Sequence, residues 1–108
     1  MYFEAMGYRV AQATDGEEAL SIVARDPPDA IVMDLSMPRL DGWEATRLVK
    51  SNPRTKHVVV LVVTGFATRT DIDRARAAGA DEVFTKPCTP KDLFAEVERL
   101  LSRRAASQ

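Results

Sequence analysis

The sequence contains very little cysteine or histidine, and this scarcity excludes several kinds of site. Cys88 is the only cysteine among 108 residues, so no disulfide can form within the chain, which is compatible with a reducing cytoplasm. A redox pair would need a second cysteine, so we expect Cys88 to be a plain small side chain. His57, the only histidine, has no partner at metal-ligand spacing, and we expect it at the surface rather than in a metal or phosphotransfer role.

Long apolar runs and an excess of one charge are also missing. No apolar stretch approaches the roughly 20 residues of a membrane span. Fifteen basic residues stand against sixteen acidic ones, for a net charge of -1, so the chain has no basic stripe suited to nucleic acid. With 45% hydrophobic and 29% charged residues, the composition is typical of a soluble globular protein, and the length fits one domain.

What the sequence does contain is a regular alternation of short strands and helices. The predicted strands are Tyr8–Ala13, Ala30–Asp34, His57–Val63 and Val83–Thr85. The predicted helices begin at Asp15, at Asp41, at about Thr70 (ending at Gly79) and at Thr89-Pro90. Helices between buried strands imply right-handed crossovers and a parallel sheet. The predicted fold is therefore a doubly wound α/β domain.

Three of these strands run into a polar side chain at their carboxyl ends. They are followed or closed by Asp34, Thr64 and Lys86. An ionised carboxylate at the end of an apolar run costs several kcal/mol to bury unless it is paired or solvated. In open parallel sheets the site lies outside the carboxyl ends of the strands, near the point where strand order reverses. We therefore expect one site that contains all three side chains.

This combination of side chains suits the formation of an acyl phosphate. An ammonium near Asp34 favours the ionised carboxylate, which is the form that acts as a nucleophile. Lys86 can also neutralise an incoming phosphoryl group, while the Thr64 hydroxyl and the Gly65 backbone N–H can donate hydrogen bonds to it. Taken singly, Asp34 could be a turn cap, Thr64 an ordinary strand residue and Lys86 an exposed loop lysine.

Five segments, in their order and spacing, resemble the receiver domain of two-component response regulators from about residue 2 to residue 102. They are 15–20, 34–42, Thr64-Gly65, 79–81 and Lys86-Pro87. The resemblance implies a flavodoxin-like sheet, with a receiver domain over residues 1–102 and a short polar tail over 103–108. It also implies a cis Lys86-Pro87 bond.

The resemblance further implies a function and its partners. Asp34 would accept a phosphoryl group from a histidine kinase or a His-containing transfer domain, Thr64 would move to bind it, and Lys86 would pair with it. The helix at 70–79, the following strand and the final helix would then change their surface for a downstream protein or output domain. Such a domain is cytoplasmic, and it is no enzyme beyond its own phosphoryl transfer and hydrolysis.

The N-terminus departs from this family pattern. Receivers begin with a strand that carries an acidic pair for Mg²⁺, whereas residues 1–8 here look like the tail of the helix that follows it. Without the pair, the implied metal ligands are Asp34 and the main-chain carbonyl of Ser36, so we expect Mg²⁺ binding to be weak or lost.

A missing central strand would remove on the order of 10 kcal/mol of burial from a domain stable by about 5–15 kcal/mol. We therefore expect a barely stable monomer and consider three explanations. The first explanation, which we favour, is that the chain is shortened relative to the working protein. The second is that the strand at Tyr8 pairs directly with that at Ala30, and the third is that a partner or oligomer fills the gap.

Val83 and three aromatic residues bear on signalling. Val83 occupies the place where many receivers have a switching Tyr or Phe, and Phe84 is expected to face the other way, into the core. Trp43 is expected to pack rather than to recognise a ligand. Phe66 either shields the acyl phosphate or is a loop residue without that role.

Two other functions stay open at this point. One is a pseudo-receiver, an interaction module that keeps the fold without phosphorylation. The other is a cofactor-binding flavodoxin-like domain, which the chain disfavours because Gly16 and Gly65 do not form a phosphate-cradling loop.

Overall fold

The structure is a computed structural model that describes residues 2–5, 7–35, 40–65 and 68–107. The strands are β1 (Tyr2–Ala5), β2 (Tyr8–Ala13), β3 (Ala30–Leu35), β4 (Val59–Thr64) and β5 (Glu82–Thr85). The helices are α1 (Gly16–Arg25), α2 (Leu40–Ser51), α3 (Arg69–Ala78) and α4 (Pro90–Ser107). No helix in these ranges is long and apolar enough to cross a membrane.

The five strands form one sheet in the order β1-β2-β3-β4-β5. β2 to β5 are parallel, and β1 is antiparallel to β2. The predicted α/β class is confirmed, but the expected reversal of strand order is not present among these strands. Because each of α1, α2 and α3 links neighbouring strands in the same direction, right-handed crossovers place all three on one face. α4 packs on the opposite face.

The side chains of β2 to β4 divide the core into two layers. On the first face, Ile31, Met33 and the even-numbered valines of β4 pack against α1, α2 and α3. On the second face, Val32 and Leu61 pack against Val97, Leu100 and Leu101 of α4. All six residues of β4 are buried, as predicted for a strand covered on both faces.

The prediction that the N-terminal residues are the end of a helix is wrong. Residues 2–5 form a strand rather than the end of a helix, and Ala5 is the register partner of Tyr8. Two residues separate these partners, and Gly7 has φ 84°, a conformation that suits a tight hairpin. Tyr and Phe at positions 2 and 3 favour a strand.

β2 occupies the place where a gap was expected. It pairs directly with β3, with Val10 opposite Ala30 and Ala13 opposite Met33. Of the three explanations for the N-terminal pattern, direct pairing is therefore the arrangement that the structure shows. No gap separates β2 from β3, because four register pairs join these strands.

Two helix ends also differ from their predictions. α2 begins at Leu40, so Asp41 lies in its first turn rather than at its N-cap. α4 continues through Ser107, so residues 103–107, predicted to be a polar tail, are helical. The Arg104 guanidinium donates to the Asp29 carboxylate at 3.2 Å and to the Asp29 carbonyl at 3.1 Å. This contact fastens the end of α4 to the loop before β3.

Candidate functional site

Asp34 and Lys86 meet at the carboxyl edge of the sheet. Asp34 is the only exposed residue of β3, and the residues on either side of it are buried. The Lys86 Nζ lies 2.7 Å from the Asp34 Oδ1. The Asp34 side chain is 51% exposed and the Lys86 side chain is 40% exposed, so solvent reaches the pair and screens its attraction. The result is an accessible carboxylate next to a cation.

Thr64 ends the neighbouring strand, but its hydroxyl does not face this pair. Its register partner is Leu35, and its carbonyl accepts a hydrogen bond from the Lys86 N–H at 2.9 Å. Strand alternation places its side chain on the face opposite Asp34. The Thr64 Oγ1 is fully buried and has no hydrogen-bond partner within the described part of the chain. The structure thus brings two of the three predicted side chains together and leaves the third adjacent.

A cavity of about 700 Å³ opens beside the ion pair. Its lining includes Asp34 and Lys86 together with Gln12, Gly65, Cys88 and Leu93. The Lys86-Pro87 bond is cis, as the resemblance implied. A Cβ added to Gly65 would meet only the Lys86 Cδ, at 4.0 Å, so Gly65 leaves the approach open. The cavity has room for a transferred phosphoryl group and part of its donor.

Gln12 is a member of this cavity that the sequence did not single out. It lies on β2 between two buried alanines, and its own side chain is exposed. Strand alternation alone would have placed it opposite the buried residues. Gln12 reaches the cavity beside Asp34 and Lys86 (the acceptor cavity) because β2 pairs directly with β3. The sequence did not favour this pairing.

The metal ligands predicted from the resemblance form no complete site in the described residues. Ser36 lies outside them, as does Phe66. Within them, no group of three or more Asp, Glu, His or Cys side chains could hold a metal ion. Mg²⁺ prefers six oxygen ligands in octahedral geometry and commonly takes one or two carboxylates. One carboxylate that is already paired with Lys86 does not by itself fit this requirement.

The remaining singled-out residues are placed as expected. Trp43 is 7% exposed and packs in the core with α1 and α3. Val83 and Phe84 pack against opposite core layers. His57 is exposed. Cys88 is a free thiol of intermediate exposure.

A second polar cluster joins α3, β5 and α4. The Glu82 carboxylate of β5 lies 3.5 Å from Arg76 of α3 and 3.7 Å from Arg99 of α4. A hydrogen bond from Arg99 lowers the pKa of Glu96 on α4. Next to these residues a cavity of about 540 Å³ is lined in part by Phe84 and Cys88. Cys88 thus borders both this cavity and the one beside Asp34.

Comparison with known proteins identifies the family. The family model described as response regulator receiver domain matches residues 1–98. The chain belongs to the response regulator receiver domain family. Among solved structures, this receiver resembles the signal receiver domain of a histidine kinase from Syntrophus aciditrophicus, with a TM-score of 0.72 and 27% identity over 86% of this chain and 89% of that one.

Curated relatives carry the same domain in different settings. The receiver is 40% identical to the response regulator PleD of Caulobacter vibrioides over 86% of its own length and 20% of that protein. It is 42% identical to MprA of Mycobacterium leprae over 90% of its own length and 42% of that protein. It thus spans less than half of either relative.

A further structural neighbour contains a metal ion. The receiver domain of the sensor histidine kinase PA1611 from Pseudomonas aeruginosa has a magnesium ion coordinated in its active-site cleft. It shares 34% identity and a TM-score of 0.64 with this receiver, over 90% of this chain and 76% of that one.

Proposed function

We propose that this receiver accepts a phosphoryl group on Asp34 from a phosphohistidine of a histidine kinase or His phosphotransfer domain. An Asp34 carboxylate oxygen forms a bond to phosphorus while the phosphorus–nitrogen bond of the donor breaks, and the electron pair leaves on the imidazole nitrogen. The observation that carries the proposal is the contact of 2.7 Å between Asp34 and Lys86 at the edge of an open cavity. It supplies a nucleophile together with a cation for the transferred charge.

In this proposal, Thr64 acts after the transfer. Its buried hydroxyl lacks a partner among the described residues, and a phosphoryl oxygen on Asp34 would provide one if the side chain turned toward the carboxyl edge. Lys86 would remain paired with the acquired negative charge. The receiver would catalyse only its own phosphorylation and the later hydrolysis, and no other reaction.

The response would pass to a surface made of α3, β5 and α4. Lys86 lies two residues before Cys88, which borders the cavity on that surface. Glu82 holds arginines from both flanking helices, so a shift of β5 would change the relative placement of α3 and α4. A downstream protein or an output domain would bind this surface. The receiver would meet a phosphohistidine donor of this kind in the cytoplasm.

Mg²⁺ affinity would be weak in this proposal. Asp34 is the one carboxylate at the cavity among its lining residues, and Lys86 competes with a cation for it. Titration of the receiver with Mg²⁺, followed by Trp43 fluorescence or calorimetry, would measure this affinity.

Uptake of phosphate from a small donor tests the proposal directly. Incubation with acetyl phosphate should add one phosphoryl group to the wild-type chain by intact mass, and Asp34→Asn should abolish the addition. Asp73→Asn, on the exposed face of α3, is the matched control and should behave as wild type. Uptake that persists in Asp34→Asn would move the acceptor elsewhere.

The incomplete set of acidic ligands favours a second candidate. A pseudo-receiver would present the same surface without phosphorylation. In that case the wild-type chain and Asp34→Asn would both remain unmodified, and both would bind the same partner with equal affinity.

A further inference from the structure

Gln12 is a polar residue that lines the acceptor cavity, and its side chain makes no hydrogen bond within the described part of the chain. Its neighbours Ala11 and Ala13 are fully buried in the core, whereas the Gln12 side chain is exposed. It lines the same cavity as Asp34 and Lys86. A carboxamide at this place is therefore available to a group that enters the cavity.

The register of the sheet brings Gln12 close to Asp34. Gln12 is the partner of Val32 across the β2–β3 pair. Asp34 lies two residues further along β3, and side chains two residues apart on a strand point to the same face. Neighbouring strands lie about 4.8 Å apart and residues two apart along a strand about 6.6 Å, so these diagonal neighbours are about 8 Å apart, a distance that long side chains can bridge. The Gln12 side chain can therefore reach a phosphoryl group on Asp34 from the side of β2.

The chemistry of the carboxamide suits such a contact. A glutamine has two N–H donors and no charge, so it can approach a phosphoryl group without competing with Lys86 for the Asp34 carboxylate. A phosphoryl group presents three acceptor oxygens, and hydrogen bonds to charged acceptors are stronger than neutral ones. Lys86 approaches from β5 and Gln12 from β2, so the two donors would bind different oxygens.

We propose that Gln12 donates a hydrogen bond from its side-chain nitrogen to the phosphoryl group on Asp34, and so is a further residue of the acceptor site. The inference rests on the proposed function of Asp34. As the bond from Asp34 to phosphorus forms and the donor's bond to phosphorus breaks, Gln12 holds its N–H against a phosphoryl oxygen and transfers no proton.

Nuclear magnetic resonance of the wild-type chain tests the contact without any substitution. The sequence has only three side-chain carboxamides, at Gln12, Asn52 and Gln108, so their nitrogen-15 signals are easily assigned. On phosphorylation by acetyl phosphate in buffer with Mg²⁺, the Gln12 amide signals should move. The signals of Asn52, which lies in the loop after α2, should stay in place.

A kinetic test uses Gln12→Met, which keeps the length of the side chain and removes the amide. Loss of one hydrogen bond to a charged group should slow phosphorylation of Asp34 by about tenfold. Thr70→Met, on the exposed first turn of α3, is the control and should keep the wild-type rate. Trp43 fluorescence verifies that both variants are folded.

The two failures can be told apart. If the wild-type chain takes up phosphate but the Gln12 signals stay in place and Gln12→Met reacts at the wild-type rate, this inference alone is overturned. If the wild-type chain takes up no phosphate, the proposed function falls and the inference falls with it.

Discussion

The placement of Thr64 contrasts with its proposed role. The role requires contact with a phosphoryl group on Asp34, but the Thr64 side chain lies on the opposite face of the sheet. Its side chain is completely buried, yet its hydroxyl oxygen has no hydrogen-bond partner among the described residues. A buried polar atom without a partner costs about 1–3 kcal/mol. This cost is explained if the hydroxyl is kept for a phosphoryl group that arrives later.

Thr64→Val separates the two roles of this residue. Valine has nearly the same shape and lacks the unpaired oxygen, so the free energy of unfolding should be unchanged or rise by up to about 1 kcal/mol. The phosphorylated state should nevertheless lose a hydrogen bond, so the conformational response to acetyl phosphate should be reduced. Urea denaturation and chemical-shift changes in β5 and α4 would measure the two effects.

Thr46→Val provides the contrast. Thr46 is equally buried, but its hydroxyl donates to the Gly42 carbonyl at 2.8 Å. Its loss should lower the free energy of unfolding by about 1 kcal/mol and leave the response to acetyl phosphate intact. A Thr64→Val variant that is destabilised as much as Thr46→Val would contradict the account of Thr64.

At the scale of single elements, α3 begins with a complete capping box. The Thr68 hydroxyl accepts from the Asp71 N–H at 3.1 Å. The Asp71 carboxylate accepts from the Thr68 N–H at 2.9 Å and from its hydroxyl at 2.8 Å. These bonds from Thr68 lower the pKa of Asp71 below its ordinary value of 3.8. The capping box fixes the first turn of α3, a helix of the surface proposed to bind a downstream protein.

The lowered pKa of Asp71 predicts how its contribution depends on pH. A carboxyl group with a lower pKa in the folded state stabilises the fold above its unfolded pKa, and this contribution is lost as the pH falls through the folded value. The difference in free energy of unfolding between wild type and Asp71→Asn should therefore be constant above about pH 5 and shrink as the pH falls below about 4. Urea denaturation over a pH series would measure it.

Asp73→Asn, on the same helix, controls for the loss of one negative charge. If the Asp71→Asn difference stayed the same down to pH 2, or grew as the pH fell, the capping carboxylate would not be the cause.

The helices were more predictable than β1, for local reasons. Gly79 closes α3 in the left-handed conformation, as a glycine after an amphipathic run predicts. By contrast, β1 is defined by its pairing with β2, and Tyr2-Phe3-Glu4-Ala5 alone has no strong period. Gly16 shows the same limit: a Cβ there would lie 2.1 Å from the Asp41 carbonyl oxygen, a contact between α1 and α2 that only the assembled fold reveals.

The site was predictable only in part, again for a reason of geometry. Asp34 and Lys86 follow from the rule that parallel strands bring their carboxyl ends to one edge. The direction of the Thr64 side chain depends on its register with Leu35, and the presence of Gln12 depends on which strand lies beside β3. Neither is contained in the local sequence.

At the scale of the whole molecule, direct pairing of β2 with β3 closes the sheet. Both core layers run across β2, β3 and β4, and α4 is fastened to the loop before β3 through Arg104. The instability expected from a missing central strand does not follow for this arrangement. We therefore expect the chain to unfold as one cooperative unit.

Thermal and urea unfolding test this expectation. Trp43 is the only tryptophan and lies in the core, so its fluorescence reports tertiary packing, while far-ultraviolet circular dichroism reports the helices. The two transitions should coincide and should be independent of protein concentration. Separate transitions, or a midpoint that rises with concentration, would instead support a partner or a second copy that completes the sheet.

The position of Cys88 has a practical consequence. Because it is the only thiol in the sequence, lies between two cavities and is partly accessible, a maleimide fluorophore would attach at a single known point. Such a label would sit at the edge of the cavity that contains Asp34 and also at the edge of the cavity lined in part by Phe84. Its emission could follow both chemical modification and partner docking in real time, without any engineered attachment point.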